Sequence, residues 1–202
     1  MHRVISLVVA TLAVMVFAVV RAEGNIEAGK TKSAMCAGCH GPDGNSVVPQ
    51  WPKIAGQHAT YLARQLKEFK SGMRKNREMS PMASPLSEQD MQDLGAYFAS
   101  QKGTAGSADP GLAETGEQLY QAGNPETGVL ACMACHGPGG TGNSASDIPA
   151  LSGQHAAYTA TQMRAYQSGE RKGDLAPIMQ AIAEKMTEAE IAAVSSYIEG
   201  LH

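Results

Sequence analysis

The sequence predicts an all-α protein made of two tandem copies of one small domain. Three observations point there. The pentapeptide Cys36-Ala37-Gly38-Cys39-His40 returns as Cys132-Met133-Ala134-Cys135-His136. Long stretches after each pentapeptide match in order. Apolar residues in both copies recur at helical spacing, and no stretch alternates convincingly as a strand would.

The repeat can be followed residue by residue. Gly29-Lys30 and Gly116-Glu117 lead into the two pentapeptides. Gly44-Asn45-Ser46 matches Gly142-Asn143-Ser144, and residues 52–59 match 149–156. Tyr61, Gln65, Phe69, Ser71 and Gly72 match Tyr158, Gln162, Tyr166, Ser168 and Gly169. Near each end, Leu86-Ser87-Glu88 matches Met186-Thr187-Glu188. The offset is 96 at the cysteines, 97 in the middle and 100 at the end, with residues 123–130 the largest insertion.

Each copy reads as three helices joined by loops. The first is short and carries the chain into the cysteines. The second starts near His58, with Tyr61, Leu62, Gln65, Leu66 and Phe69 on one stripe and Gly72 as its stop. The third opens on Ser87-Glu88-Gln89-Asp90, a capping-box pattern, and presents Met91, Leu94, Tyr97 and Phe98 inward. Thr187-Glu188-Ala189-Glu190 opens its counterpart, followed by Ile191, Val194, Tyr197 and Ile198.

Domain limits follow. Residues 4–20 are uncharged and apolar after Arg3, and Val20-Arg21-Ala22 is an acceptable cleavage site. Residues 1–22 therefore read as an export signal, with retention as a membrane anchor the alternative. Residues 23–102 form the first domain, 103–111 a Gly/Ser/Ala-rich linker that includes Pro110, and 112–202 the second domain.

The chemistry lies in the pentapeptides, which use all four cysteines. C-x-x-C-H is the pattern of covalent haem c attachment. Both thiols add to haem vinyl groups as thioethers, and the adjacent imidazole of His40 or His136 binds iron from one side. Two covalently bound haem c groups follow, held by Cys36, Cys39, Cys132 and Cys135. A single zinc site fits poorly, because the pairs sit in separate repeats. A dithiol redox pair does not explain the His-Gly-Pro that follows each pair. Export agrees with haem attachment on the outer side of the membrane, with the chain soluble or membrane-associated.

The second axial ligand decides the job of such an iron: a methionine favours electron transfer, an open site small-molecule chemistry. Of 11 methionines, Met79 falls opposite Met179, each eight residues before its helix cap. Both are expected in loops between the second and third helices, with Pro81 and Pro177 nearby. Met82, opposite Ile182, is the rival in the first half. His58 and His155 are also matched and keep bis-histidine ligation as an alternative. Pro52 and Pro149 lie twelve and thirteen residues beyond His40 and His136. Their carbonyls are candidates to fix the imidazoles.

Charge is uneven. Residues 23–105 hold 10 Lys/Arg against 8 Asp/Glu, whereas 106–202 hold 4 against 11. Such a dipole can orient the molecule towards a charged partner. No basic run interleaved with aromatics points to nucleic acid.

With these motifs in hand, the chain resembles the cytochrome c4 family, the diheme members of the class I cytochrome c group. The resemblance spans residues 23–202. It rests on both C-x-x-C-H motifs, the P-x-x-x-G-Q segments at Pro52 and Pro149, the matched methionines and the closing Tyr197-Ile198-Glu199-Gly200-Leu201. It implies two class I cytochrome folds related by a pseudo-twofold, with His40/Met79 and His136/Met179 as axial pairs. It also implies Pro52 and Pro149 as the contacts of the proximal histidines. The implied function is a periplasmic electron carrier. Its partners would be an upstream cytochrome or quinol-oxidising complex and a terminal oxidase, with peripheral membrane association open. The longer approach to the second haem departs from the simple repeat. Three other readings remain: a diheme peroxidase with a displaceable ligand, a haem-based sensor, or a docking subunit of a dehydrogenase.

Overall fold

The computed structural model describes residues 24–202; the leader expected over residues 1–22 lies outside them. The first half contains α1 (Ile26–Lys32), a 3-10 turn (Ser33–Met35), α2 (Ala37–His40), α3 (Ala59–Ser71), α4 (Met79–Ala83) and α5 (Glu88–Ala99). The second contains α6 (Ala113–Ala122), α7 (Met133–His136), α8 (Ala156–Gln167), α9 (Ala176–Ala183) and α10 (Glu188–Gly200). Among the described residues extended pairing is confined to two isolated bridges, Asn124 with Val129 and Asn143 with Ile148. The expected all-α class and twofold repeat are what the chain adopts.

Each half is built on the crossing of its first and last long helices. Gly29 of α1 lies against the Asp93 carbonyl and Tyr97 of α5, and Gly116 of α6 against the Ala193 carbonyl and Tyr197 of α10. A β-carbon at either glycine would collide with backbone, so the repeat-matched glycines set how closely these helices cross. The capping boxes form as the sequence indicates. Ser87 accepts from the Asp90 N–H and Thr187 from the Glu190 N–H, while each carboxylate accepts from the cap residue's own N–H. Gly72 ends α3 in the left-handed conformation, φ 76°.

Two apolar cores result. Leu62, Leu86, Met91, Leu94, Tyr97 and Phe98 form the first, and Cys36 packs against it. Leu119, Tyr120, Val129, Ile191, Val194 and Ile198 lie in the second, with Cys132 and Met163 packed on it. The inserted residues 123–130 fold back so that Val129 is 3% exposed, which ties the insertion into the core.

The methionine segments differ from expectation. Met79 opens α4 and Met179 lies within α9, so both stand on short helices rather than loops. The prolines caused the misreading. Pro81 is the third residue of α4 and Pro177 lies in the first turn of α9, where a missing N–H costs no helical hydrogen bond. Asn76 starts α4 by accepting from the N–H groups of Glu78 (3.0 Å) and Met79 (2.7 Å).

The halves join through matched residues. Lys53 N–H donates to Gln154 Oε1 (2.9 Å) and Gln154 Nε2 to the Lys53 carbonyl (2.8 Å). The mirror pair is Ala150 N–H to Gln57 Oε1 (2.9 Å) and Gln57 Nε2 to the Ala150 carbonyl (2.9 Å). Residue i meets j, and the counterpart of i meets the counterpart of j, which is the pattern of an isologous interface. Arg64 also donates to Asp147 across the junction at 2.5 Å.

Candidate haem sites

Each pentapeptide is a single helical turn. The N–H groups of Cys39 and His40 bond the Cys36 carbonyl, at 3.2 and 3.0 Å. Cys135 and His136 bond Cys132 at 3.2 and 2.9 Å. This turn sets both thiols on one side and sends the imidazole inward. Cys39 and Cys135 are exposed, Cys36 and Cys132 are half-buried, and all four are free. Burial pushes the Cys36 and Cys132 thiols up to about 11, so both stay protonated at neutral pH. The next residue has to be glycine: Gly41 (φ 80°, ψ 160°) and Gly137 (φ 78°, ψ 159°) occupy a region essentially closed to other residues.

The histidines are each 7% exposed. His40 Nδ1 lies 2.9 Å from the Pro52 carbonyl and His136 Nδ1 2.9 Å from that of Pro149. A carbonyl can only accept, so Nδ1 carries the proton and Nε2 keeps its lone pair. Among the described residues Nε2 has no hydrogen-bond partner on either ring. Burial lowers both imidazole pKa values, with the proline carbonyl acting the other way. A neutral, oriented imidazole with a free lone pair is what an iron ligand requires.

Met79 and Met179 are both half-buried, whereas Met82 is 37% exposed. His155 is engaged at both nitrogens, by the Ser46 carbonyl of the other half (2.8 Å) and by Glu199 (3.3 Å). It is thereby committed to the junction. His58, its counterpart, caps α3, and its buried Nε2 is unpartnered. Among the described residues no group of three or more His, Cys, Asp or Glu gathers to hold a bare metal ion.

The donor set therefore fits haem c. Free paired thiols stand beside a tautomer-fixed imidazole, against an apolar wall, twice. The sequence reading missed Arg74 and Arg171, which meet between the halves. Arg74 donates to Tyr158 Oη (3.1 Å) and Gln162 Oε1 (2.7 Å), and Arg171 to Tyr61 Oη (2.9 Å) and Gln162 Oε1 (2.8 Å). Their signal was present: Tyr61, Gln65 and their counterparts are hydrogen-bonding positions kept in both copies on a stripe that is otherwise apolar in the first, with Leu62, Leu66 and Phe69.

Comparison with known proteins agrees with this chemistry. The family model "Cytochrome c" matches residues 26–102 and again 113–202. Cytochrome c4 of Thiocapsa roseopersicina is 50% identical over 180 residues, 88% of this chain and 93% of that protein. The crystal structure of reduced recombinant cytochrome c4 from Pseudomonas stutzeri superposes with a TM-score of 0.85 at 48% identity, covering 89% of this chain and all of that one. The thiosulfate dehydrogenase electron acceptor of Thiomonas intermedia is 38% identical over 203 residues, 98% of this chain and 90% of that protein.

Proposed function

The chain belongs to the cytochrome c4 family of diheme electron-transfer proteins, and from that premise we propose that it is a periplasmic carrier passing electrons towards a terminal oxidase. In this reading Cys36, Cys39, Cys132 and Cys135 hold the two haems covalently. His40 with Met79, and His136 with Met179, would hold the two irons. Each haem, when bound, supplies an iron that takes up and returns one electron between Fe(III) and Fe(II).

The chain's own residues determine what such an iron can do. The Pro52 and Pro149 carbonyls hold each imidazole in one tautomer and one orientation. The soft thioether of Met79 or Met179 would favour the reduced state of the iron it holds, as would the apolar wall. With both positions taken, no seat remains for a substrate. That is why we read the protein as a carrier rather than a peroxidase or sensor. The matched pair of half-buried methionines, one per histidine, is the observation that carries this reading.

The test is a spectroscopic redox titration of Met79→His and Met179→His variants, beside carbon monoxide exposure of the reduced wild type. Each substitution should lower one potential and abolish the near-infrared band of thioether-bound ferric haem in that half. The wild type should take up no carbon monoxide. Unchanged spectra, or ready uptake, would overturn the ligand assignment.

A second reading concerns the donor. The likeness to a thiosulfate dehydrogenase electron acceptor supports a dehydrogenase as the immediate source of electrons. In that case this chain docks on a catalytic subunit and is reduced by it. Reduction by a quinol-oxidising complex but not by such a dehydrogenase would discard this reading.

A further inference from the structure

Each half lends the other a side chain that holds the loop leading to its histidine-fixing proline. In the first half that loop is closed at its neck, where the Gly44 carbonyl accepts from the N–H groups of Ile54 (2.8 Å) and Ala55 (3.1 Å). Inside it the contacts are continuous. Ser46 Oγ donates to the Val48 carbonyl (3.1 Å) and accepts from the Val48 N–H (3.2 Å). The same carbonyl accepts from the Trp51 N–H (3.0 Å), and Pro52 follows with its own carbonyl on His40. Ser46 is 3% exposed, and its carbonyl accepts from His155 Nε2 of the second half at 2.8 Å. The second loop is held in turn from the first half. Arg64 donates to the Asp147 carbonyl (3.2 Å) and carboxylate (2.5 Å), two residues before Pro149.

The two holds differ in chemistry. An arginine keeps its charge. A histidine changes charge between about pH 5 and 8. His155 Nε2 faces the Ser46 carbonyl, and its Nδ1 faces Glu199 Oε1 at 3.3 Å. Carbonyl and carboxylate only accept, so both contacts are hydrogen bonds only when both ring nitrogens carry protons. A neutral ring has one proton for two acceptors. The carboxylate is the stronger acceptor and takes it, which leaves a bare lone pair against the Ser46 carbonyl.

Among the described residues Glu199 of α10 is the only carboxylate within ion-pair distance of this ring. The other titratable groups nearby in the chain are occupied. Asp43 accepts from the Asn45 N–H (3.0 Å) and Nδ2 (2.8 Å), Lys53 donates to the Thr104 carbonyl (2.8 Å), and Tyr158 of α8 accepts from Arg74 (3.1 Å). The repeat does not duplicate either hold. His58, the counterpart of His155, has its Nε2 buried and unpartnered. Ala99 stands at the place of Glu199, and Thr161 at that of Arg64.

We infer that His155 is a positioning residue for the first haem site, supplied by the second half: as an imidazolium it pins the loop that leads to Pro52, and as pH rises it releases that loop. Arg64 keeps the second loop pinned over the same range. The inference rests on the reading of His40 and His136 as iron ligands and deepens it. The hold on the first loop is full at low pH and is lost as the ring gives up its second proton. The Pro52 carbonyl then guards the His40 Nδ1–H less closely, while Pro149 guards that of His136 as before.

The test is hydrogen exchange, followed by NMR on the reduced holoprotein, of the His40 Nδ1–H relative to the His136 Nδ1–H. Base catalysis acts on both rings and cancels in the ratio, which then reports local opening. In the wild type the ratio should climb about tenfold between about pH 5 and 8. In His155→Gln the side-chain amide can donate to the Ser46 carbonyl without titrating, so the ratio should stay flat near its low-pH value. His155→Ala should hold it flat near the high-pH value. In Glu199→Gln the neutral ring can accept from the new amide and keep Nε2–H on Ser46, so the ratio should again stay flat and low. Should the alanine variant fail to fold, the two glutamine variants carry the test. A flat wild-type ratio, or a climb that survives either glutamine substitution, would overturn the inference. Failure of the haem reading itself would appear separately, as fewer than two covalent haems per chain by intact mass.

Discussion

At the residue scale the haem sites depend on a few unusual demands. Gly41 and Gly137 are among the sharpest. Alanine at either would force about 1–3 kcal/mol of backbone strain directly beside the buried His40 or His136. Gly41→Ala and Gly137→Ala should therefore each lower thermal stability and the haem-to-protein ratio of their own half, measured by absorbance and intact mass. Full haem loading at wild-type stability would contradict the strained geometry. Much at this scale was legible. The cysteines, histidines and prolines follow from one motif and its repeat. Arg74 and Arg171 did not, because an arginine in a glycine-flanked loop looks like ordinary solvated surface until both halves are in place. Gln57 and Gln154 stand out in the sequence only as part of a motif, since their partners are backbone groups of the other half.

At the element scale the long helices were readable and the short ones were not. Capping boxes, a glycine stop and apolar periodicity identified α3, α5 and α10, because each signal has a local physical cause. Helices α4 and α9 escaped. A helix of five or eight residues shows little periodicity, and first-turn prolines resemble loop markers. The caps allow a direct test. Ser87→Ala and Thr187→Ala should each cost about 1 kcal/mol. With both halves unfolding as one unit of about 180 residues, that is a fall of about 2–4 °C in Tm, readable by circular dichroism. Acid should act on the same feature. The Ser87 hydroxyl and N–H, then Lys32, hold Asp90 down to about 2, and Thr187 holds Glu190 below its ordinary value. The ionised form is favoured by folding. The caps' contribution should be full above the usual 3.8 of Asp90 and lost as pH falls towards about 2. A Ser87→Ala protein should show a shallower loss over that window.

At the scale of the whole molecule, two cores are joined by paired amides, an ion pair and a buried arginine cluster. Each of the four glutamine hydrogen bonds contributes roughly 1 kcal/mol net. Gln57→Ala combined with Gln154→Ala should leave both haems in place but uncouple the halves. Calorimetry should then show two separate transitions where the wild type should show one. A single unchanged transition would mean the junction is held elsewhere. The sequence announced two domains, yet not how they face each other. That relation depends on long-range pairs such as Arg64 with Asp147, which leave no periodic trace.

The amide clasp has a consequence for origins. Each side offers the same glutamine and receives the same backbone groups, so one copy on its own already carries both sides of the clasp. A chain of half this length could have paired with its twin before duplication joined them end to end. Once joined, the copies no longer had to stay alike. His155 now spans the junction while His58 leaves one ring nitrogen unpartnered, a mark of that divergence.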